Sequence, residues 1–274
     1  MRRIIVLEDG MEHTTKVRFG EWISEAWNLL TAKWQTWITI AVIFVIPIGV
    51  IYAGMQYFSY KTQPPVTEGN IIQTLIESFV QSMTLGILTQ FLITFVEAFF
   101  IGGIYNTAFK QLNGEEISPS DIFSGTEFYV NILVASLIIG LLEFAGAFLC
   151  YIPSLIVRGL FFMTIPLIVR KNLPPLEALK QSFNATKGDW LMYTLFAFVV
   201  ALLSALGVVA CIIGVLFTLP LLFLTTAVAY RDCFEPELKP RSRVDELYSK
   251  YCRNCGASIP VNASFCDKCG AGQV

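Results

Sequence analysis

Four cysteines close to the C-terminus stand in two pairs, Cys252 with Cys255 and Cys266 with Cys269, in the run YCRNCGASIPVNASFCDKCGAG. The spacing is C-x2-C-x10-C-x2-C. Two such pairs supply four thiolates, the donor set of a tetrahedral Zn²⁺ site. Gly256 and Gly270 each follow the second cysteine of a pair, where a residue without Cβ lets the backbone turn tightly around a metal. Four protein ligands leave no open coordination position, so the pattern predicts one structural zinc ion rather than a catalytic one. A segment of about 20 residues cannot build a core alone, and metal binding then supplies its folding free energy.

Three ionisable residues, Glu97, Glu143 and Arg158, fall inside strongly apolar stretches. Charges at such positions are costly and point to pairing or to function. Glu143 precedes Tyr151 by eight residues and Arg158 follows it by seven. If the chain reverses near Tyr151, the two reach similar depth and pair. Two other readings stay open: Glu97 or Glu143 serves as a proton or cation site on a transport path, or the side chains snorkel to an interface. Cys150 and Cys211 read as small apolar packers or as a disulfide. Cys233 has no evident partner.

The elements that must position these residues follow from composition. Of 274 residues, 55% are hydrophobic and 15% charged, against about 25% charged in an ordinary globular domain. Mean hydropathy is +0.62. A soluble chain this poor in charge could not cover its own surface, so the class is integral membrane protein. Disorder is excluded, as is a basic nucleic-acid binder: the net charge is -2. His13 is the single histidine, which disfavours paired-histidine metal or haem sites and histidine-based triads. Residues 1–16 form a polar segment without a signal peptide, since Glu8 and Asp9 interrupt the apolar run at residues 4–7. Met1 and Met11 are both candidate starts.

A spanning helix needs about 20 predominantly apolar residues. Six stretches meet or approach this: 37–58, 83–109, 129–151, 153–171, 190–212 and 214–232. Pro153 and Gly214 sit between the members of the last two pairs, so each pair is expected to be a tight hairpin of helices; a pair of long kinked helices, with four spans in all, is the alternative. Ile71, Ile72, Leu75, Ile76, Phe79, Val80 and Met83 recur at helical spacing. They extend the second span back to about residue 70, longer than a bilayer requires. Such a helix must project, bend at Gly86, or lie partly in the interface, and Gly102-Gly103 is a second bend or a close-packing point. With the N-terminus inside, all but two of the 19 basic residues fall in cytoplasmic segments. The exceptions are Lys61, in the outer loop 59–70, and Arg158. The positive-inside rule then places both termini in the cytoplasm. The four cysteines are therefore in a reducing compartment, which disfavours two disulfides.

Shifted by 61 residues, the second and third pairs of spans align: Gly146 with Gly207, Cys150 with Cys211, Leu160 with Leu221, Phe162 with Phe223, Thr164 with Thr225 and Arg170 with Arg231. Ahead of the first pair, Phe19, Trp22, Ile23, Ala26, Trp27, Leu30 and Trp34 share a helical face, an interfacial amphipathic pattern with tryptophans at headgroup level. Pro174 and Pro175 open a similar segment with Leu176, Leu179, Phe183 and Trp190. Residues 118–129 are a degenerate middle copy. The expected fold class is all-α: six transmembrane helices as three repeats of amphipathic helix plus helical hairpin, followed by a small zinc module built on four cysteines.

The run PLEALKQSFNATKGDW, a hairpin, then AVAYRDCF resembles uncharacterised bacterial multi-pass membrane families related to the membrane domain of glycerophosphodiester phosphodiesterases. The resemblance covers roughly residues 17–235 and implies a six-helix bacterial inner-membrane domain without an assigned reaction. The soluble catalytic domain is lacking, so phosphodiesterase activity is not carried over. The C-terminal cysteine run resembles the short zinc-ribbon at the ends of many bacterial membrane proteins.

The expected organisation is a polar segment 1–16, a membrane domain 17–234, a tether 235–250 and a zinc-ribbon 251–274. The leading functional expectation is a non-enzymatic inner-membrane scaffold or accessory subunit. Its partners are the lipid bilayer and a protein bound through the ribbon or within a larger membrane complex. The ribbon is not notably basic, which disfavours nucleic acid. The alternative is a transporter or lipid-handling protein using Glu97 and Glu143.

Overall fold

The structure is a computed structural model. It describes residues 4–6, 12–14, 17–63, 71–149, 151–209 and 213–236. In the C-terminal segment it describes 250–252, 254, 255, 258, 259, 264–266 and 268–272. Cys150, Cys211, Gly256, both candidate start residues and most of the tether lie outside these. The chain forms two units, residues 1–234 and 235–274.

Among its described residues, the first unit is helical apart from one short ladder. The β-branched run Ile4–Val6 (β1) pairs antiparallel with Glu12–Thr14 (β2), Ile5 opposite His13. Helix α1 (Phe19–Ala32) leads into α2 (Trp34–Lys61), and α3 follows (Ile71–Leu112). Two 3-10 turns, Pro119–Phe123 and Thr126–Phe128, precede α4 (Tyr129–Phe148). Then come α5 (Ile152–Phe161), α6 (Thr164–Lys171), α7 (Pro175–Thr186), α8 (Trp190–Val209) and α9 (Ile213–Phe234). Among the described residues, five helical stretches are long and apolar enough to cross a membrane: Trp34–Lys61, Ile71–Leu112, Pro119–Phe148, Ile152–Lys171 and Gly214–Phe234. Helix α8 runs 20 residues without a charged side chain.

The core lies at one end of the bundle, the basal end, where α1, α7 and the 3-10 turns gather. In α2 the buried residues stop at Phe44, and in α3 they begin only at Ile93. Trp22, Trp37, Ile104, Ile132, Met163, Tyr193, Phe196 and Tyr230 are almost fully enclosed there. The rest of α3 presents Ile71, Ile72, Leu75, Ile76, Phe79 and Val80 outward. With 42 residues, α3 is about 63 Å long, roughly twice the hydrocarbon thickness of a bilayer.

Helix α3 runs unbroken through its glycines. Gly86 has open space around it, whereas Gly102 and Gly103 meet the backbone of Gly125 and Ile122 in the 3-10 segment. A Cβ on Gly102 would stand 2.6 Å from the Gly125 carbonyl oxygen. The pair is a close-packing point, and it seats the segment between α3 and α4 directly on α3.

Three local expectations differ from what the chain does. The apolar face of α1 is split: Trp22, Ala26 and Leu30 are buried in the protein, while Trp27 and Trp34 are about half exposed. The middle amphipathic segment is not an α-helix but two 3-10 turns, with Pro119 opening the first and Gly125 separating them. The stretch 153–171 is also interrupted. Helix α5 ends at Phe161 and α6 begins at Thr164, with Pro166 in its first turn. Proline is tolerated in a first turn, where its missing N–H is not needed, but Pro47 and Pro220 lie inside α2 and α9 without breaking them, so Pro166 alone does not set the stop.

Candidate metal centre

In the C-terminal unit, Lys250–Tyr251 (β3) pairs antiparallel with Ser258–Ile259 (β4), and Phe265 bridges to Gly272. The backbone of the second cysteine pair turns tightly. The Gly270 amide donates to the Cys266 carbonyl at 2.8 Å, and the Cys266 amide to the Ala271 carbonyl at 3.0 Å. Gly270 has φ +71°, a left-handed conformation that a residue without Cβ adopts freely.

These turns bring the four thiols together. Cys252 Sγ lies 3.5 Å from Cys269 Sγ, and Cys255 Sγ 3.7 Å from Cys266 Sγ. All four sulfurs fall within 4.8 Å of one another. A tetrahedron of sulfurs about 2.3 Å from a central zinc has edges of about 3.8 Å, so the donor set and its spacing both fit the ion. Cys252 and Cys266 are buried while Cys255 and Cys269 are exposed. The Cys252 thiol is lowered to about 6, first by the backbone N–H of Cys255 and also by that of Asn254, against the opposing effect of burial. A thiolate is the form that binds metal.

Residues 251–272 match the zinc-ribbon domain family. The ribbon therefore carries Cys252, Cys255, Cys266 and Cys269 in position to bind one zinc ion. No curated protein and no solved structure matches the chain.

Within the helical unit, the three charges of the apolar stretches have different surroundings. Tyr151 adopts φ +64° between α4 and α5, and the chain reverses there. Gly146 abuts the Ser154 backbone, which lets the two helices approach closely. Arg158 then faces Glu143 edge-on: Nε donates to Oε1 at 3.1 Å and Nη2 to Oε2 at 3.0 Å. Glu97 is half-buried on α3 and makes no hydrogen bond or ion pair with a described residue. Cys233 is buried, with its sulfur 3.3 Å from the Tyr193 hydroxyl.

A second charged cluster was not anticipated from the sequence. Arg231, only 2% exposed, donates from Nη1 and Nη2 to the two oxygens of Glu25 at 2.5 and 2.8 Å. It also donates to Asp232 Oδ1, at 2.7 Å from Nη2. The indole N–H of Trp22 donates to Asp232 Oδ2 at 3.1 Å. This cluster fastens α1 onto α9. The signal available was the alignment of Arg231 with Arg170, which marks a position without naming a partner 206 residues away.

Further side-chain contacts complete the fastening. Gln111 accepts from the Trp37 indole at 2.7 Å and donates to the Leu29 carbonyl at 2.7 Å, joining α3 to both α1 and α2. Lys33 reaches Glu116 at 2.8 Å, and that hydrogen bond holds the Glu116 carboxyl below its ordinary value.

Proposed function

We propose that this chain is a six-span, non-enzymatic scaffold or accessory subunit of a bacterial inner membrane, with both termini in the cytoplasm and a zinc-ribbon that docks a protein partner. The observation that carries the reading is the closed thiolate quartet. Four sulfurs around one position leave no place for substrate or water on the metal, so the metal's role is to fold a small surface. A small folded surface at the end of a membrane protein is suited to docking.

Several features support the rest. Helix α8 is apolar throughout and packs against α9, as the first member of a hairpin does. It brings the five other apolar stretches to six spans, and α9, the last of them, returns the chain to its starting side. The basic residues collect on that side, and the resemblance of residues 17–235 to bacterial multi-pass families agrees with it. The threefold repeat belongs to the same reading: α7 precedes α8 and α9 as α1 precedes α2 and α3.

The test is purification of the full chain from native membranes under gentle solubilisation, with wild type and Cys252→Ser side by side. The expected result is a stoichiometric protein partner with wild type that is released from the variant. A partner retained by the variant, or no stoichiometric partner with wild type, contradicts the docking role.

A further inference from the structure

A cavity of about 340 Å³ lies among α3, α5, α8 and α9. Its walls include Tyr105, Phe162, Phe196, Ala201 and Thr226, and Arg158 also lines it. Glu97 and Glu143 do not. The packing explains the space. Gly159 meets the backbone and the hydroxyl of Thr194, so α5 and α8 touch closely where α5 has no side chain. Further along α8 the residues facing the cavity are Ala197 and Ala201, one turn apart and small. Helix α5 stops at Phe161, and Phe162 stands in the break before α6.

The polar groups of this cavity are few. Arg158 spends its Nε and Nη2 donors on Glu143, while Nη1 makes no hydrogen bond to a described residue, and half of the side chain is exposed (51%). Tyr105 is buried and its hydroxyl bonds to Thr226, whose own hydroxyl donates to the Leu222 carbonyl at 2.9 Å. The remaining wall is aromatic and aliphatic. A volume of this size falls at the lower end of small-molecule sites.

We propose that this cavity binds the anionic head, phosphate or carboxylate, of a lipid-like amphiphile, with Arg158 Nη1 as the charge contact. Glu143 occupies the other edge of the guanidinium and fixes its orientation, which leaves the Nη1 donors for the ligand. A guanidinium edge without an acceptor is expensive among apolar helices. An amphiphile satisfies it while its chain runs along Phe162, Phe196 and the alanines of α8. The inference rests on α3, α5, α8 and α9 crossing a bilayer, not on the ribbon having a partner, so partner loss leaves it untouched.

The test uses the full chain in a neutral detergent with dodecyl phosphate as probe, dodecanol as the uncharged control and inorganic phosphate as competitor. Binding is read by native mass spectrometry and by the shift of the thermal unfolding midpoint. The expected result is saturable one-to-one binding of dodecyl phosphate, little of dodecanol, and no displacement by inorganic phosphate. Ala201→Phe fills the cavity and leaves the Arg158–Glu143 pair in place; it should weaken binding at least tenfold, as should Arg158→Gln. Ala197→Leu is read in parallel, so that one folded filled variant suffices. Equal binding of phosphate and alcohol, or equal binding by wild type and a folded filled variant, overturns the site. Displacement by inorganic phosphate overturns the lipid source.

Discussion

The hydroxyl of Thr186 on α7 donates to the backbone carbonyl of Leu160 on α5 at 2.9 Å, across 26 residues of sequence. Ser182 donates to the same oxygen, also at 2.9 Å. In an uninterrupted helix that carbonyl would receive the amide of residue 164. Here α7 takes it, α5 ends, and the Thr164 hydroxyl is buried without a hydrogen bond among the described residues. In α9 the aligned pair behaves otherwise: Thr225 donates to Leu221 at 2.6 Å and the helix continues. Ser182→Ala with Thr186→Val should therefore lower stability by about 2 kcal/mol, near 1 per lost hydrogen bond. The thermal unfolding midpoint of the purified chain reads this; an unchanged midpoint would mean the two bonds do not hold the broken helix.

Glu143 and Arg158 form the second prediction. Removing either charge alone leaves the other unpaired in apolar surroundings, a loss of about 3 kcal/mol. Glu143→Gln with Arg158→Gln should cost less than the sum of the two single changes. Midpoints for all four proteins complete the cycle. Additive losses would show that the two side chains do not interact.

The third prediction concerns Gly103. A methyl group there overlaps the Ile122 backbone, which cannot yield as a flexible side chain would. Gly103→Ala should destabilise by roughly 1–3 kcal/mol, whereas Gly86→Ala, in open space, should stabilise slightly because alanine favours helix. Comparable effects at the two positions would contradict the close contact between α3 and the 3-10 segment.

The fourth prediction concerns Arg231. Arg231→Met leaves Glu25 and Asp232 facing each other without a cation, and breaking a buried pair in this way costs roughly 3–5 kcal/mol. Helix α1 should then detach from α9. Limited proteolysis within residues 19–32 measures this directly. Equal protection in wild type and variant would show that the cluster does not hold α1.

What was legible in the sequence was what depends on local spacing or on the bilayer. The ligand pattern of Cys252, Cys255, Cys266 and Cys269 is set by metal geometry over a few residues. The apolar stretches long enough to cross a membrane show in hydropathy alone, although α3 runs well past that length. Tyr151 needed only Pro153 nearby to mark a reversal. What was not legible depends on tertiary contacts. Hydropathy runs unbroken through Phe162 and Met163, so the stop between α5 and α6 is invisible until Ser182 and Thr186 arrive from α7. The buried face of α7 consists of Ala178, Leu179, Ser182, Ala185 and Thr186; small and hydroxyl residues dominate it, while the conspicuous Leu176, Phe183 and Trp190 are the exposed ones. Glu25 looks like any solvated charge on an amphipathic helix until Arg231 is placed beside it.

A membrane helical unit that carries an independent, closed zinc site should load metal without depending on it for its spans. Zinc per chain, by elemental analysis, is therefore measured in the purified full-length protein and in Cys266→Ser, with helical content read on the same samples. The expected values are one zinc per chain in wild type, close to none in the variant, and unchanged helical content, since the spans fold without the metal. Wild type purified without zinc, or a variant that keeps its full complement, would contradict the closed four-thiolate site.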